Sequence, residues 1–323
     1  MKKNLSINSL TREELSEYIF DLGEKKYRAK QLWKWLYVNG VKSFDEMSDI
    51  GVKLRNKLNS DYLFNRLSID KHQVSKDGTQ KWLFELKDKR KVETVFIPEK
   101  DRGTLCISSQ VGCTLSCSFC HTGTMPLVRN LSTDEIIGQI LSAKDSLLDW
   151  DNKNRKITNL VFMGMGEPLY NYTEVTRAIK ILLDNEGLCY SRRKITLSTS
   201  GVVPIIQKLK YELDVSLAIS LHAVTDKVRN ELVPINKKWP IKELLSVLEV
   251  YPGVNNSRRI TFEYVMLEGV NDSISDAKKL VKLLKPLHAK VNLIPFNPWP
   301  GSIYKCSSDK TIKDFADEVC YNG

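Results

Sequence analysis

From residue 104 onward, apolar runs alternate with helical stretches, and this alternation limits the fold more than any other feature. TLCISS, ITNLVFM, KITLSTS, VSLAISL, ITFEYVML and KVNLIPF are six candidate strands, with amphipathic segments near 133–148, 173–184, 203–210, 240–249 and 272–285 between them. Successive β-α units predict a parallel sheet with right-handed crossovers. Six units fall short of a closed barrel, so the expected fold is α/β, an open partial (β/α)6 barrel. Such folds do their chemistry at the C-terminal edge of the strands. Five fragments fall there: the loop after the first strand, Gly164-Met165-Gly166-Glu167-Pro168 after the second, Ser198, Ser200 and Gly201 at the third, Ser220-Leu221-His222 at the fourth, and Phe296-Asn297-Pro298 at the sixth. Each is weak alone; Gly-Met-Gly-Glu-Pro lacks the third glycine of a dinucleotide fingerprint. Their convergence is the signal.

Three further regions flank this core, which spans 104–304. Residues 1–60 read as a small helical accessory domain, with Ser6 or Ser9 and then Thr11 as helix starts and YRAKQLWKWLYVNG as an amphipathic helix stopped by Gly40. Lys25, Lys26, Arg28, Lys30 and Lys34 accompany Trp33, Trp35 and Tyr37 there. That pattern suits RNA docking, and equally a helix that packs its tryptophans inward. Residues 61–103 read as a short antiparallel extension, with turns at Asp77-Gly78 and at Lys87 to Lys91. In VETVFIPE, Glu93 shares a face with Val95 and Ile97. If that face is covered, desolvation favours the neutral carboxyl and Glu93 becomes a useful proton acceptor; the ordinary reading is an exposed strand glutamate. Residues 305–323 form a last helix.

Cys113, Cys117 and Cys120, in GCTLSCSFC, carry the most specific chemistry. Their C-x3-C-x2-C spacing can bind three irons of a 4Fe–4S cube and leave one iron open to a small molecule. Cys117 to His121 also fits the C-x-x-C-H haem signature, the same residues could supply a Cys3His zinc site, and all could be small buried hydrophobes. Attached haem belongs to exported proteins, whereas the chain starts MKKNLSINSLTREEL, with no apolar h-region. No stretch reaches about 18 apolar residues, so no membrane span is expected. Cys106, Cys189, Cys306 and Cys320 are scattered, unlike a disulfide framework. The chain reads as cytoplasmic and reduced, and its net charge of +10 leans toward acidic partners such as nucleic acid.

The cysteine loop followed by a Gly-Glu run resembles radical S-adenosylmethionine enzymes. Within that superfamily VETVFIPE, CISSQVGC, RNLSTDEIIGQI, VFMGMGEPLYN, ITLSTSGVVP, LAISLHA, LVPIN, TFEYVMLEGVND and NLIPFNP resemble the RlmN/Cfr RNA methyltransferases, on the RlmN side, from the N-terminal helices to about residue 304. The resemblance implies a radical S-adenosylmethionine barrel, one 4Fe–4S cluster and S-adenosylmethionine as cofactors, and methylation of adenosine C2 in 23S rRNA and in tRNA next to the anticodon. That carbon is electron-poor, so a simple displacement on the sulfonium cannot methylate it and a radical route is needed. Carried over, Cys113, Cys117 and Cys120 hold the cluster, Gly166 and Glu167 bind the cofactor's amino group, and Ser198, Ser220, Leu221, His222 and Asn297 contact the rest of it. Glu93 is then the proton acceptor and Cys106 the thiol that helps release the product. A flavodoxin-like or other low-potential electron donor, a monomeric state and a disulfide bond also come with the resemblance.

One departure stands out. The family ends in a segment like T-R-G-x-D-I-x-A-A-C-G-Q-L, whose cysteine carries the methyl group, and FADEVCYNG does not match it. Cys320 reads as an incidental helix-end cysteine. The expectation is that full methyl transfer by the chain as written is weak or absent, with a truncated, inactive RNA-binding remnant or a C8-methylating relative as alternatives.

Overall fold

The computed structural model describes residues 5–322, apart from 152, 252–253 and 256–257, and only the backbone at 210 and 211. By their contacts they fall into two units. The first holds the residues up to Val111, Arg129–Met165 and Asn171–Ile195; the second holds Gly112–Val128, Gly166–Tyr170 and the residues from Thr196 on.

The first unit begins with α1 (Arg12–Asp21), α2 (Tyr27–Lys34) and α3 (Val52–Asp61). Thr11 caps α1 in a reciprocal box with Glu14, an arrangement that satisfies two otherwise orphaned N–H groups. The amphipathic segment does run to Gly40, but as an α-helix followed by a π turn over Trp35–Asn39. Gly40 ends it at φ +67°, and a Cβ there would lie 2.3 Å from the Trp150 ring, so no other residue fits. The inward-packing reading holds for Trp33, which is fully buried and donates to Asp184 (3.0 Å); Trp35 is half-buried.

The antiparallel extension is β1 (Ser68–Val74), β2 (Gln80–Glu85) and β3 (Lys91–Pro98), joined by turns with Gly78 and Lys89 at positive φ. β3 pairs antiparallel with β4 (Gly103–Cys106). A short ribbon of β5 (Gln110–Val111) and β6 (Arg129–Asn130) precedes α4 (Thr133–Leu147). β4 then pairs in parallel with β7 (Asn159–Phe162), and α5 (Tyr172–Leu183) follows. α4 is buried along almost its whole length, and Gln139 on it takes bonds from Thr94 Oγ1 (2.9 Å) and the Ser108 N–H (2.8 Å). A buried amide with its partners met fixes β3 against the loop leaving β4.

In the second unit β8 (Ile195–Thr199), β9 (Ser216–Ser220), β10 (Ile260–Met266) and β11 (Ala289–Pro295) pair in parallel, in that order. α6 (Val203–Glu212), α7 (Asp226–Leu232), α8 (Ile241–Glu249), α9 (Ile274–Leu284) and α10 (Asp309–Asn322) complete it. All six anticipated strands are present, as β4 and β7 to β11. α7 was not anticipated. Among the described residues no helix is long and apolar enough to cross a membrane. All seven cysteines are free, so the disulfide suggested by the resemblance is not formed: three sit in one self-bonded loop and the others on separate elements.

Candidate active site

The cysteine loop is knitted by its own backbone. The Cys113 N–H donates to Met125 O (3.1 Å), Cys120 to Cys117 (3.1 Å) and Gly123 to Cys120 (3.0 Å). Two glycines let it close: a Cβ on Gly112 (φ +77°) would lie 2.1 Å from Pro126 O, and one on Gly123 would lie 2.5 Å from Cys117 O. Gly112→Ala therefore forces the wrong handedness and a backbone clash just before the first cysteine. We expect it to lower iron loading of the purified protein several-fold while the far-UV circular dichroism stays native, because the strain is confined to the loop.

All three thiols are half-buried. Burial, helped by the neighbouring thiols and Glu167, pushes Cys113 up to about 11 and Cys117 up to about 12. Among the described residues no three metal-binding side chains gather closely enough to hold a single ion.

A buried guanidinium stands beside this loop. Arg229, on α7, is wholly buried and donates to Leu221 O (3.0 Å), Ser200 O (2.7 Å), Ser220 O (2.9 Å) and Asn236 Oδ1 (2.8 Å). Among the described residues no carboxylate bonds to it directly; burial lowers it to about 10, and Cys117 and then Asp226, reached through Asn236, pull it back up. A buried cation with no directly bonded carboxylate, near Cys117, suits a net-negative thiolate cluster. The donor set and this charge together fit the implied group.

The remaining strand-end residues lock one another. Gly166 takes φ +97°. Glu167, buried next to it, accepts from the Ser200 N–H (2.8 Å) and the Leu169 N–H (3.1 Å), while burial raises its carboxyl above the usual range. Its side chain thus ties the loop at 166–170 to the end of β8. His222 is buried with φ +59°, a strained position held by Asn271 Nδ2 on its carbonyl (2.7 Å). Burial and then Arg229 lower it to about 3, so the ring is neutral; Nδ1 accepts from the Val265 N–H (3.1 Å), which puts the proton on Nε2. Phe119 of the cysteine loop meets that ring edge-on at 4.6 Å, and Trp299 Nε1 bonds Phe119 O (3.0 Å). Ser198 and Leu221 are buried, Ser220 is half-buried, and Asn297 is exposed beyond β11.

Cys113, Cys117, Cys120, Gly166, Glu167, Ser198, Ser220, Leu221, His222 and Asn297 all belong to the second unit, while Glu93 and Cys106 belong to the first. There Glu93 is exposed and pairs with Lys81 at 3.1 Å. Its face is open, so the covered-face argument for a neutral carboxyl does not apply. Cys106 lies opposite Val95 across the β3–β4 pair, and burial, with Glu93 adding to it, pushes its thiol up to about 12. Two residues escaped the sequence reading. Arg229 carries no signal, since DKVRNEL looks like any exposed helix. Glu263 carried one: a lone carboxylate inside the apolar run ITFEYVML, here buried, raised by desolvation and bonded by Asn292 (2.7 Å).

Known proteins resemble this chain over nearly its whole length. The ribosomal RNA large subunit methyltransferase N-terminal domain matches residues 5–63, and the radical SAM superfamily matches 107–284. Two proteins named dual-specificity RNA methyltransferase RlmN are similar at near full length. That of Bradyrhizobium diazoefficiens is 54% identical over 97% of this chain and 82% of its own. That of Rhodospirillum rubrum is 53% identical over 97% and 74%. A radical SAM methyltransferase structure from Sphaerobacter thermophilus superposes with a TM-score of 0.92 at 40% identity, over 99% of this chain and 93% of that one. With the cysteine loop, the strand-end residues and near full-length similarity in agreement, the chain belongs to the RlmN family of radical SAM RNA methyltransferases.

Proposed function

We propose that this protein methylates C2 of adenosine in 23S rRNA and in tRNA beside the anticodon, with a 4Fe–4S cluster and S-adenosylmethionine as its cofactors. The observation that supports the reading is the site in the second unit, where the cysteine loop shares a unit with the Gly166-Glu167 turn, which the Glu167 side chain ties to the end of β8, and with the ends of β8 and β9, which the buried Arg229 guanidinium holds. The bound cluster and cofactor supply one-electron chemistry, which an electron-poor carbon requires. Cys113, Cys117 and Cys120 would hold the cluster. Gly166 and Glu167 would offer backbone groups to the cofactor's amino group, with the Glu167 side chain as a brace, since both its oxygens already take N–H donors. Ser198, Ser220, Leu221 and Asn297 would contact the rest of the cofactor, and neutral His222 would offer its Nε2 proton. Glu93 would accept the substrate's proton from an open sheet face that a large RNA can reach, and the protonated Cys106 thiol would assist release.

The four-part division fits these roles: helices 1–60 for RNA, the extension 61–103 for Glu93, the core 104–304 and the last helix 305–323. We place the reaction in the cytoplasm with its RNA substrates, and propose a low-potential donor of the flavodoxin type. We propose that it acts as a monomer. The inert remnant and the C8-methylating relative are not favoured, since the near full-length relatives are named dual-specificity methyltransferases. The test is an anaerobic reaction of reconstituted protein with S-adenosylmethionine, a reductant and unmodified 23S rRNA fragment, with nucleosides read by mass spectrometry. The chain as written and a form extended by the family's C-terminal segment run in parallel. 2-Methyladenosine from either form is the expected product; its absence from both, or 8-methyladenosine in its place, overturns the reading.

A further inference from the structure

From Lys26, just before α2, to Asn39 at the end of the π turn that follows it, the helix carries two parallel rows of side chains. Lys26, Lys30 and Lys34 follow one another at four-residue steps and are all exposed. On a helix that spacing makes a row of cations about 6 Å apart. Tyr27, Gln31 and Trp35 form the adjacent row at the same step, continued by Asn39. A π turn spans Trp35 to Asn39 and carries the row on past the end of α2. Both residues line one cleft of about 310 Å³, together with Tyr27, Lys30, Gln31 and Lys34. Trp35 is fixed there by its indole N–H on Asp49 (2.5 Å), which Gln31 also reaches (3.0 Å). Tyr27 stays 49% exposed. An aromatic floor held rigid, an exposed aromatic wall and a polar tip are more than the packing of the helix requires, because Trp33 and Leu32 already supply its buried face.

We propose that this cleft is a nucleotide subsite for unpaired RNA, in which a base stacks on Trp35 and Tyr27 while its backbone follows Lys26, Lys30 and Lys34. The proposal rests on the RNA methyltransferase reading and adds to it a specific contact on the N-terminal helices. Bases in a duplex present no free faces, so a stacking row beside a cation row discriminates for single strands. Lys30 also pairs with Glu186 at 2.5 Å, but its side chain is 66% exposed, and such a surface pair yields readily to a phosphate. Lys34 makes no ion pair among the described residues.

The test is fluorescence anisotropy with a labelled single-stranded oligoribonucleotide and a duplex RNA of equal length, using the full chain. Tyr27→Leu and Trp35→Leu should each weaken single-strand binding about 5- to 150-fold, with an unchanged salt slope and little effect on the duplex. Lys34→Gln should weaken it less and reduce the salt slope by about 0.7. Aromatic variants that bind single strands as tightly as wild type, or that lose both RNAs equally, overturn the subsite. If Trp35→Leu melts early, the half-exposed Tyr27→Leu decides alone. Product formation by wild type is scored separately. If neither the chain as written nor its extended form makes 2-methyladenosine while these variants still lose single-strand affinity, the subsite stands and the methylation reading falls.

Discussion

Replacing any one of Cys113, Cys117 or Cys120 by Ala should bring iron and labile sulfide in reconstituted protein to background, remove its brown colour and abolish 2-methyladenosine. Three thiols are the whole protein donor set, and a cube left with two has no third anchor against hydrolysis. The fold should survive: the loop is closed by backbone bonds and glycines rather than by the sulfurs, so each change costs about 1 kcal/mol or less. Loading should also depend on pH with a fixed sign. Burial holds the Cys113 and Cys117 thiols protonated up to about 11 and about 12, and binding metal must expel those protons, so loading rises as pH increases. Iron assay, absorbance and nucleoside mass spectrometry on the same samples check all three points. Ala variants that stay brown overturn the assignment of these ligands. A colourless wild type that binds one zinc per chain restores the zinc reading.

The parts of this fold that were legible from sequence are those whose signal is local. Each parallel strand is a short apolar run between helical patterns, and β4 and β7 to β11 match the six runs within a few residues. Thr11 with Glu14, and Gly40, announce helix ends because capping and left-handed backbone depend on one or two side chains. The π turn was not legible, since nothing in Trp35 to Asn39 distinguishes it from a continuing α-helix. Glu93 shows the limit of period-two reasoning. Alternation puts it with Val95 and Ile97, but which face of a strand is covered depends on what packs there, and here Val92, Thr94 and Phe96 are the buried set. Among site residues, those next to glycines or inside a spaced cysteine run were visible. Arg229 was not, because its importance comes from three carbonyls and an amide that approach from distant positions.

Arg229→Met should destabilise the protein by about 3–5 kcal/mol, through the loss of a buried charged donor network rather than of volume. Met fills much of the same space but leaves the carbonyls of Ser200, Ser220 and Leu221 and the Asn236 amide oxygen without the guanidinium. The three carbonyls end β8 and β9, the same segments that carry the proposed cofactor contacts. Loosening them should raise the Kd for S-adenosylmethionine as well as lower the denaturation midpoint. A purely structural role would stop there. The position beside Cys117 predicts a further effect, because removing a buried cation near an anionic cluster makes reduction harder and lowers its midpoint potential. Arg229→Lys separates the two: it keeps the charge but cannot reach four acceptors, so it should lose stability while retaining most of the potential. Denaturant unfolding, cofactor binding and redox titration of the loaded proteins read these effects independently. If Met and Lys variants share one unchanged potential, Arg229 braces the strand ends and does not act on the cluster. If neither variant loses stability, the bonds to the three carbonyls are not what holds the site together.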